Sequence, residues 1–337
     1  MRKIVGLVLI LALLVPVASL LAQEEGMVEP IELPEVDPLS ITGDIITAGS
    51  STVFPLTSVV AEEFEADGYT GTITIDSIGT GAGFERFCSS AESDISNASR
   101  AIQEDEIEEC EANGRTPVEF YVGIDALAIA VNPENDFAEN LTILELGAIF
   151  AGEAQTWADI NPDWPAEPIA IFQPGTDSGT FDFFVETVME PYAEEQGVAE
   201  DEVGDAATEF ILGVEGAQFS ENDNILVEGV TGNPYAIGYF GYAYFAENPE
   251  AIRLLTIEGI EANAETAESG EYPLSRPLFI YSTADIMAEK PQVASFINYY
   301  LTNVLEFVTE AGYFPTSIEA NNEAKMNWLA AMGMEAE

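Results

Sequence analysis

Three times this chain runs from a β-prone stretch through a turn of Gly, Ser and Thr straight into apolar residues at helical spacing. That repeated junction limits the fold more than any other feature. In the third, Ile169-Ala170-Ile171-Phe172 leads into Gly175-Thr176-Asp177-Ser178-Gly179-Thr180-Phe181. Phe181, Phe184, Val185, Val188 and Tyr192 then recur at three- and four-residue intervals, which predicts a helix from about Thr180 with one buried face. In the first, Ile45-Ile46-Thr47 precedes Gly49-Ser50-Ser51-Thr52-Val53-Phe54-Pro55, with Leu56, Val59, Val60 and Phe64 following. Pro55 suits the first turn of a helix. The second passes from the alternating strand Thr72–Ile78 through Gly79-Thr80-Gly81-Ala82-Gly83 to Phe84, Phe87 and Ala91. Strand, turn and helix in that order, three times, predict an α/β architecture.

The turns also carry chemistry. Glycine permits tight backbone angles, and the first N–H groups of a helix have no partner inside it. Each turn alone reads equally as a capped helix, because Ser and Thr are favoured caps anywhere. In an open α/β sheet, however, ligands bind beyond the carboxyl ends of the strands, where helix starts converge. Three such turns could surround a small tetrahedral oxyanion with neutral donors. No Gly-Lys-Ser/Thr is present and Gly79 to Gly83 does not complete GxGxxG, so neither a nucleotide P-loop nor a dinucleotide fold is indicated.

Charge narrows the chemistry further. The chain has 9 Lys and Arg against 61 Asp and Glu, a formal net charge of −52, and no histidine. Such a surface repels nucleic acid and anionic lipid. Without histidine, Ser-His-Asp and Cys-His catalysis are excluded. An anion can still be held if its donors are near and fixed, because long-range repulsion is screened over about 8 Å at physiological salt. Beyond Arg2 and Lys3 the cations are Arg86, Arg100, Arg115, Arg253, Arg276, Lys290 and Lys325. Arg100 closes the small-residue strand segment Asp94–Ser99, which is expected to be buried and to end near the same edge as the turns. It either pairs with one of the many carboxylates or supplies the formal charge to the anion.

Met1-Arg2-Lys3 followed by an apolar run to Leu21 reads as a signal peptide over residues 1–22, with an uncleaved anchor as the competing reading. Residues 23–40, rich in Glu and Pro, read as a flexible acidic leader. The remaining length, about 300 residues, suffices for two domains. In an exported chain the two cysteines, Cys88 and Cys110, are expected to form a disulfide worth about 3 kcal/mol.

Ser51-Thr52-Val53-Phe54-Pro55, Ile78-Gly79-Thr80-Gly81, Ser99-Arg100-Ala101-Ile102 and Thr176–Thr180 together resemble the periplasmic phosphate-binding proteins (PstS) of the Pst ABC transporter. The likeness is to their SphX-like branch. Tyr235–Tyr244 and Tyr272–Leu278 extend it from about residue 41 to about residue 320. The resemblance implies a two-lobed type II periplasmic binding protein fold with a hinge and an interlobe ligand cleft. Lobe one would be residues 41–121 plus 274–337, and lobe two residues 122–273. It implies an exported, monomeric, non-enzymatic protein without cofactor or metal that captures inorganic phosphate and delivers it to membrane permease subunits.

By position, Ser51, Thr52, Val53 and Phe54 would form the first phosphate loop, Thr80 would replace a second-loop serine, and Ser178, Gly179 and Thr180 would close from the other lobe. Two departures are linked. Pro174 stands where family members carry an arginine, and Arg100 where they carry the aspartate that accepts the phosphate proton. Arg100 is therefore expected to bind the anion, with Asp177 or Asp125 as replacement proton acceptor. The lost aspartate keeps sulfate or molybdate open as ligand. An exported hydrolase using Ser178 is a further alternative, although Thr176 stands where GxSxG needs glycine. An adhesive or structural envelope protein is the last.

Overall fold

A computed structural model of the chain describes residues 28–335 except Asp177 and Asn248, so the signal-peptide expectation and the role given to Asp177 lie outside the described residues. The strands are β1 (Ile45–Gly49), β2 (Ile73–Ser77), β3 (Ile95–Ala98), β4 (Val118–Val131), β5 (Asn140–Leu141), β6 (Ala170–Pro174), β7 (Gln218–Ser220), β8 (Ala236–Gly241), β9 (Arg253–Leu254), β10 (Thr256–Ile257) and β11 (Ser275–Ser282). Among the described residues one mixed sheet runs in the order β2-β1-β3-β11-β4-β8-β6-β7, with β9 also on β4, while β5 and β10 pair separately.

The long strand β4 organises the sheet. Its first part pairs antiparallel with β11, from Val118↔Ser282 to Ala126↔Ser275, and its second with β8, from Leu127↔Gly241 to Val131↔Ile237. Leu127 to Val131 are fully buried, as an apolar run without alternation requires when both faces are covered. On the first side β1 lies parallel between β2 and β3, and on the second β6 lies parallel between β7 and β8. The core follows this division. Phe120, Val122, Leu278 and Ile280 pack with the helices Phe54–Ala66, Pro291–Glu310 and Ile318–Ala331. Ile124, Leu127, Ile129, Tyr272 and Leu274 pack in a second cluster around Phe150, Phe184 and Tyr239.

All three junctions fold as strand, turn and helix. The third opens the helix Gly179–Phe184, continued by a π turn, Val185–Met189, and the helix Glu190–Glu195. Its five expected apolar positions are all buried. The second opens Thr80–Phe84 and a π turn, Glu85–Ser89; Ala91 falls outside the helix at φ 56°. Cys88 and Cys110 are disulfide-bonded.

The described part of the acidic leader corrects the expectation of a flexible segment. The Ile31 N–H donates to Asn322 Oδ1 at 2.7 Å, Asn322 donates to the Glu29 carbonyl at 2.8 Å, and Lys325 Nζ to the Ile31 carbonyl at 3.0 Å. Asn298 donates to the Pro34 carbonyl at 3.0 Å, while Ile31, Leu33 and Val36 pack on the first core. These residues strap the two C-terminal helices. No described helix is long and apolar enough to cross a membrane.

Candidate functional site

The site is assembled at the end of β1. Gly49 has φ 142°, and a Cβ there would overlap the Asn97 carbonyl oxygen on β3, so only glycine lets the two strand ends close up. Its own carbonyl accepts from the N–H groups of Ile78 and Gly79, each at 2.9 Å, which ties the second turn to the first. Gly83 completes the joint, since a Cβ on it would lie 2.5 Å from Gly49 Cα. Within the first turn Ser50 Oγ accepts from the N–H groups of Thr52 at 3.2 Å and Val53 at 3.4 Å. In the second, Thr80 Oγ1 lies 3.1 Å from Ser99 Oγ and accepts from the Ser99 N–H at 3.2 Å, joining the end of β3 to the group.

The third turn approaches from the other part of the sheet. Ser178 Oγ accepts from the Thr180 N–H at 3.2 Å and so caps its own helix. Gly179 rests on the Thr52 backbone, where a Cβ would sit 3.4 Å from Thr52 Cα. That contact separates two cavities. One, of about 460 Å³, is lined by Ser51, Thr52, Thr80, Ser99, Arg100 and Arg276, with Asp182, Glu186 and Thr187 from the helix after the third turn. The other, of about 550 Å³, takes Ser51, Phe54, Ser178, Gly179 and Thr180 together with Glu221, Asp223 and Glu310. No Lys or Arg is among its described lining residues.

The expected phosphate residues are thus not gathered into one cradle. Ser51 belongs to both cavities; Thr52, Thr80 and Arg100 line the first, and Phe54, Ser178, Gly179 and Thr180 the second. Val53 lines neither: its side chain is fully buried in the core. The Phe54 N–H is used within the turn, donating to the Ser50 carbonyl at 3.1 Å.

Arg100 departs from expectation in its pairing. Its Nη1 and Nη2 each donate to Glu106 at 2.8 Å, a bidentate pair, and Nη1 also reaches the Ala101 carbonyl at 3.1 Å. Glu106 is held in turn as the third residue of the helix Glu104–Ala112, where its carboxylate accepts from the Gln103 N–H at 2.9 Å. Arg100 thus makes the salt bridge, while still lining the cleft.

The residue that the turn pattern missed is Arg276, on β11 directly opposite Asp125 on β4. Its side chain is 8% exposed and its Nε donates to Asp125 Oδ2 at 3.1 Å. Nη2 donates to Thr52 Oγ1 and to the Gly179 carbonyl, the latter at 3.1 Å, so one guanidinium holds the first and third turns together. Nη1 lies 3.4 Å from Glu186 Oε2, and the guanidinium carbon stands 3.8 Å above the Phe183 ring, a cation–π contact. A lone Arg between Ser275 and Pro277 at the head of an apolar strand was the available signal, since a buried guanidinium needs a carboxylate partner.

Asp125, nominated as a proton acceptor, does not line the cleft. It is 2% exposed and committed to Arg276. Burial raises its pKa while the Arg276 charge and hydrogen bond oppose the rise. The carboxylates that do face the cleft are Asp182 and Glu186. Partial desolvation in the cleft raises both although each keeps an exposed face, Arg276 opposes both, and Asp182 also accepts a hydrogen bond from the Ser51 side chain. Among the described residues no cluster of His, Cys, Asp or Glu could hold a metal ion.

Comparison with known proteins agrees with this architecture. The PBP superfamily domain matches residues 38–304. Protein SphX of Synechocystis sp. is 34% identical over 300 residues, covering 86% of this chain and 84% of its own. The phosphate-binding protein PstS of Staphylococcus saprophyticus is 32% identical over 276 residues, covering 80% of each. The crystal structure of a possible phosphate binding protein from Planctomyces limnophilus superposes with a TM-score of 0.75 at 39% identity, covering 87% of this chain and all of that one. The fold is the two-lobed type II periplasmic binding protein fold, and the chain belongs to the PBP superfamily, in the family of the SphX and PstS phosphate-binding proteins.

Proposed function

We propose that this solute-binding protein captures inorganic phosphate in the cleft between the first two turns and the helix that follows the third. The observation that carries the reading is Arg276, a nearly buried guanidinium at the wall of a hydroxyl-rich cleft that also presents Arg100, Asp182 and Glu186. Low-dielectric surroundings strengthen such a charge, and arginine is suited to oxyanions. Ser51, Thr52, Thr80 and Ser99 would supply neutral donors, with Arg100 at the rim. The Ser178–Thr180 turn would contribute through its contact with Thr52 and Arg276. Names of the relatives point the same way, since they are phosphate-binding proteins.

Asp182 is the carboxylate best placed to accept the proton of hydrogen phosphate. It faces the cleft beside Ser51, a position that the buried Asp125 does not offer. Sulfate lacks that proton and would meet an unrelieved negative charge, which favours phosphate over the sulfate alternative. The protein is not an enzyme, and Ser178 has a structural task as a cap. Export, delivery to ABC transporter permease subunits and a monomeric state complete the proposal.

Calorimetric titration of ligand-stripped protein with phosphate at neutral pH tests it. Tight, roughly equimolar binding that a tenfold excess of sulfate does not displace is expected. Undetectable binding rejects phosphate capture, and displacement by equal sulfate transfers the function to another oxyanion.

A further inference from the structure

We propose that Glu186 holds the free edge of Arg276 in the anion's stead, so that capture exchanges one carboxylate for one oxyanion. This rests on the reading of the cleft as the phosphate site. The donors of Arg276 can be accounted for one by one. Nε is spent on Asp125, which is buried and cannot leave. Both hydrogens of Nη2 are taken, by Thr52 Oγ1 and the Gly179 carbonyl. The Phe183 ring and the strand pairing with Asp125 fix the guanidinium plane. Only Nη1 remains, and its partner is Glu186 at 3.4 Å, well beyond the 2.7–2.9 Å usual for a charge-assisted bond.

Glu186 is built to leave. Its side chain is 60% exposed, against 2% for Asp125, so it can swing to water without stranding a charge in the core. It sits in the π turn Val185–Met189, an irregularity common at functional sites. Asp182 precedes it by four residues on the same side, and both line the cleft with Arg276. An arriving oxyanion therefore meets a guanidinium whose one available edge is occupied by a weakly held carboxylate. Arg276, rather than the Glu106-bound Arg100, becomes the cation that selects the ligand.

Phosphate calorimetry at neutral pH on the full chain and three variants decides the matter. Glu186→Gln removes the competing charge and is expected to tighten binding by about tenfold. Arg276→Lys keeps a charge but loses the fork and is expected to weaken it by about a hundredfold, whereas Arg100→Gln weakens it by less than tenfold. Unchanged or weaker binding by Glu186→Gln overturns the exchange, because a carboxylate that helps hold the ligand would be missed rather than out of the way. A larger loss in Arg100→Gln than in Arg276→Lys overturns it equally. If Arg276→Lys fails to fold, Glu186→Gln still decides, since Glu186 is largely solvated. Wild-type protein that binds no phosphate rejects the cleft reading itself, an outcome distinct from binding that Glu186→Gln leaves unimproved.

Discussion

The two cavities on either side of the Thr52–Gly179 contact share Ser51 and are both edged by hydroxyl-bearing turns, yet among their described lining residues only the first, here the cationic one, carries positive groups. One sets Arg100 and Arg276 against Asp182 and Glu186; the other has Glu221, Asp223 and Glu310 with no Lys or Arg among its described lining residues. Turns of Gly, Ser and Thr thus provide a surface able to bind an anion without choosing where one goes. In a chain of charge −52 the proposed site places that choice with two guanidiniums.

Gly49 seats the first two turns, both of which line the cationic cavity. Gly49→Ala puts a methyl on the Asn97 carbonyl at φ 142° and is expected to cost about 4 kcal/mol in urea unfolding, with phosphate binding lost in whatever folds. Next is the disulfide. Residues between Cys88 and Cys110 carry Ser99 and Arg100 of the same cavity's wall, with Glu106 paired to Arg100, and no part of the acidic one. The Cys88→Ser/Cys110→Ser double variant is expected to lose about 3 kcal/mol. A phosphate affinity that falls along with the melting temperature would tie that wall to binding.

The acidic cavity should respond in the opposite direction. Burial pushes Asp223 up to about 6 despite a hydrogen bond from Tyr244. Its folded pKa thus exceeds the ordinary carboxylate value near 4. Between about pH 4 and pH 6 the folded state holds a proton that the unfolded chain has lost, so this group's contribution to stability falls as pH rises through that window and is level above it. Asp223→Asn is expected to remove this group's share of the slope and to gain about 2 kcal/mol at pH 7, after allowance for partial exposure. Equal stability of the two proteins from pH 4 to pH 7 would show that the cavity does not penalise negative charge.

Local pattern carried much of this architecture. The three junctions, the continuous apolar run of β4 and the buried face behind Phe181 follow from spacing that only neighbouring residues determine. Arg276 and Asp125 stand 151 residues apart, and periodicity assigns faces to strands without saying which strands are adjacent or in what register. The clue was paired: Asp125 is the sole charge between Val122 and Val131, and Arg276 the sole charge of β11. The partner of Arg100 was hidden for a local reason, since Glu106 six residues on completes a capping box that also presents a carboxylate to it. In the leader, Ile31 and Leu33 alternate with acidic residue and proline, and that composition hid a segment that binds through its backbone.

The smallest expected effect separates the two cavities most sharply. Ser178 belongs to the acidic cavity, and its hydroxyl caps the helix Gly179–Phe184. Ser178→Ala should cost about 1 kcal/mol through the lost cap. If the anion occupies the cationic cavity, phosphate affinity should change by less than about threefold, since the Arg276 bond to the Gly179 carbonyl does not involve the Ser178 side chain. Thr80→Ala, on the cationic side, should weaken binding by about tenfold through loss of a donor. If calorimetry instead finds Ser178→Ala the more damaging of the two, the hydroxyl donates to the ligand. The third turn would then reach the anion directly, and the Thr52–Gly179 contact would have to open for phosphate to lie between the turns.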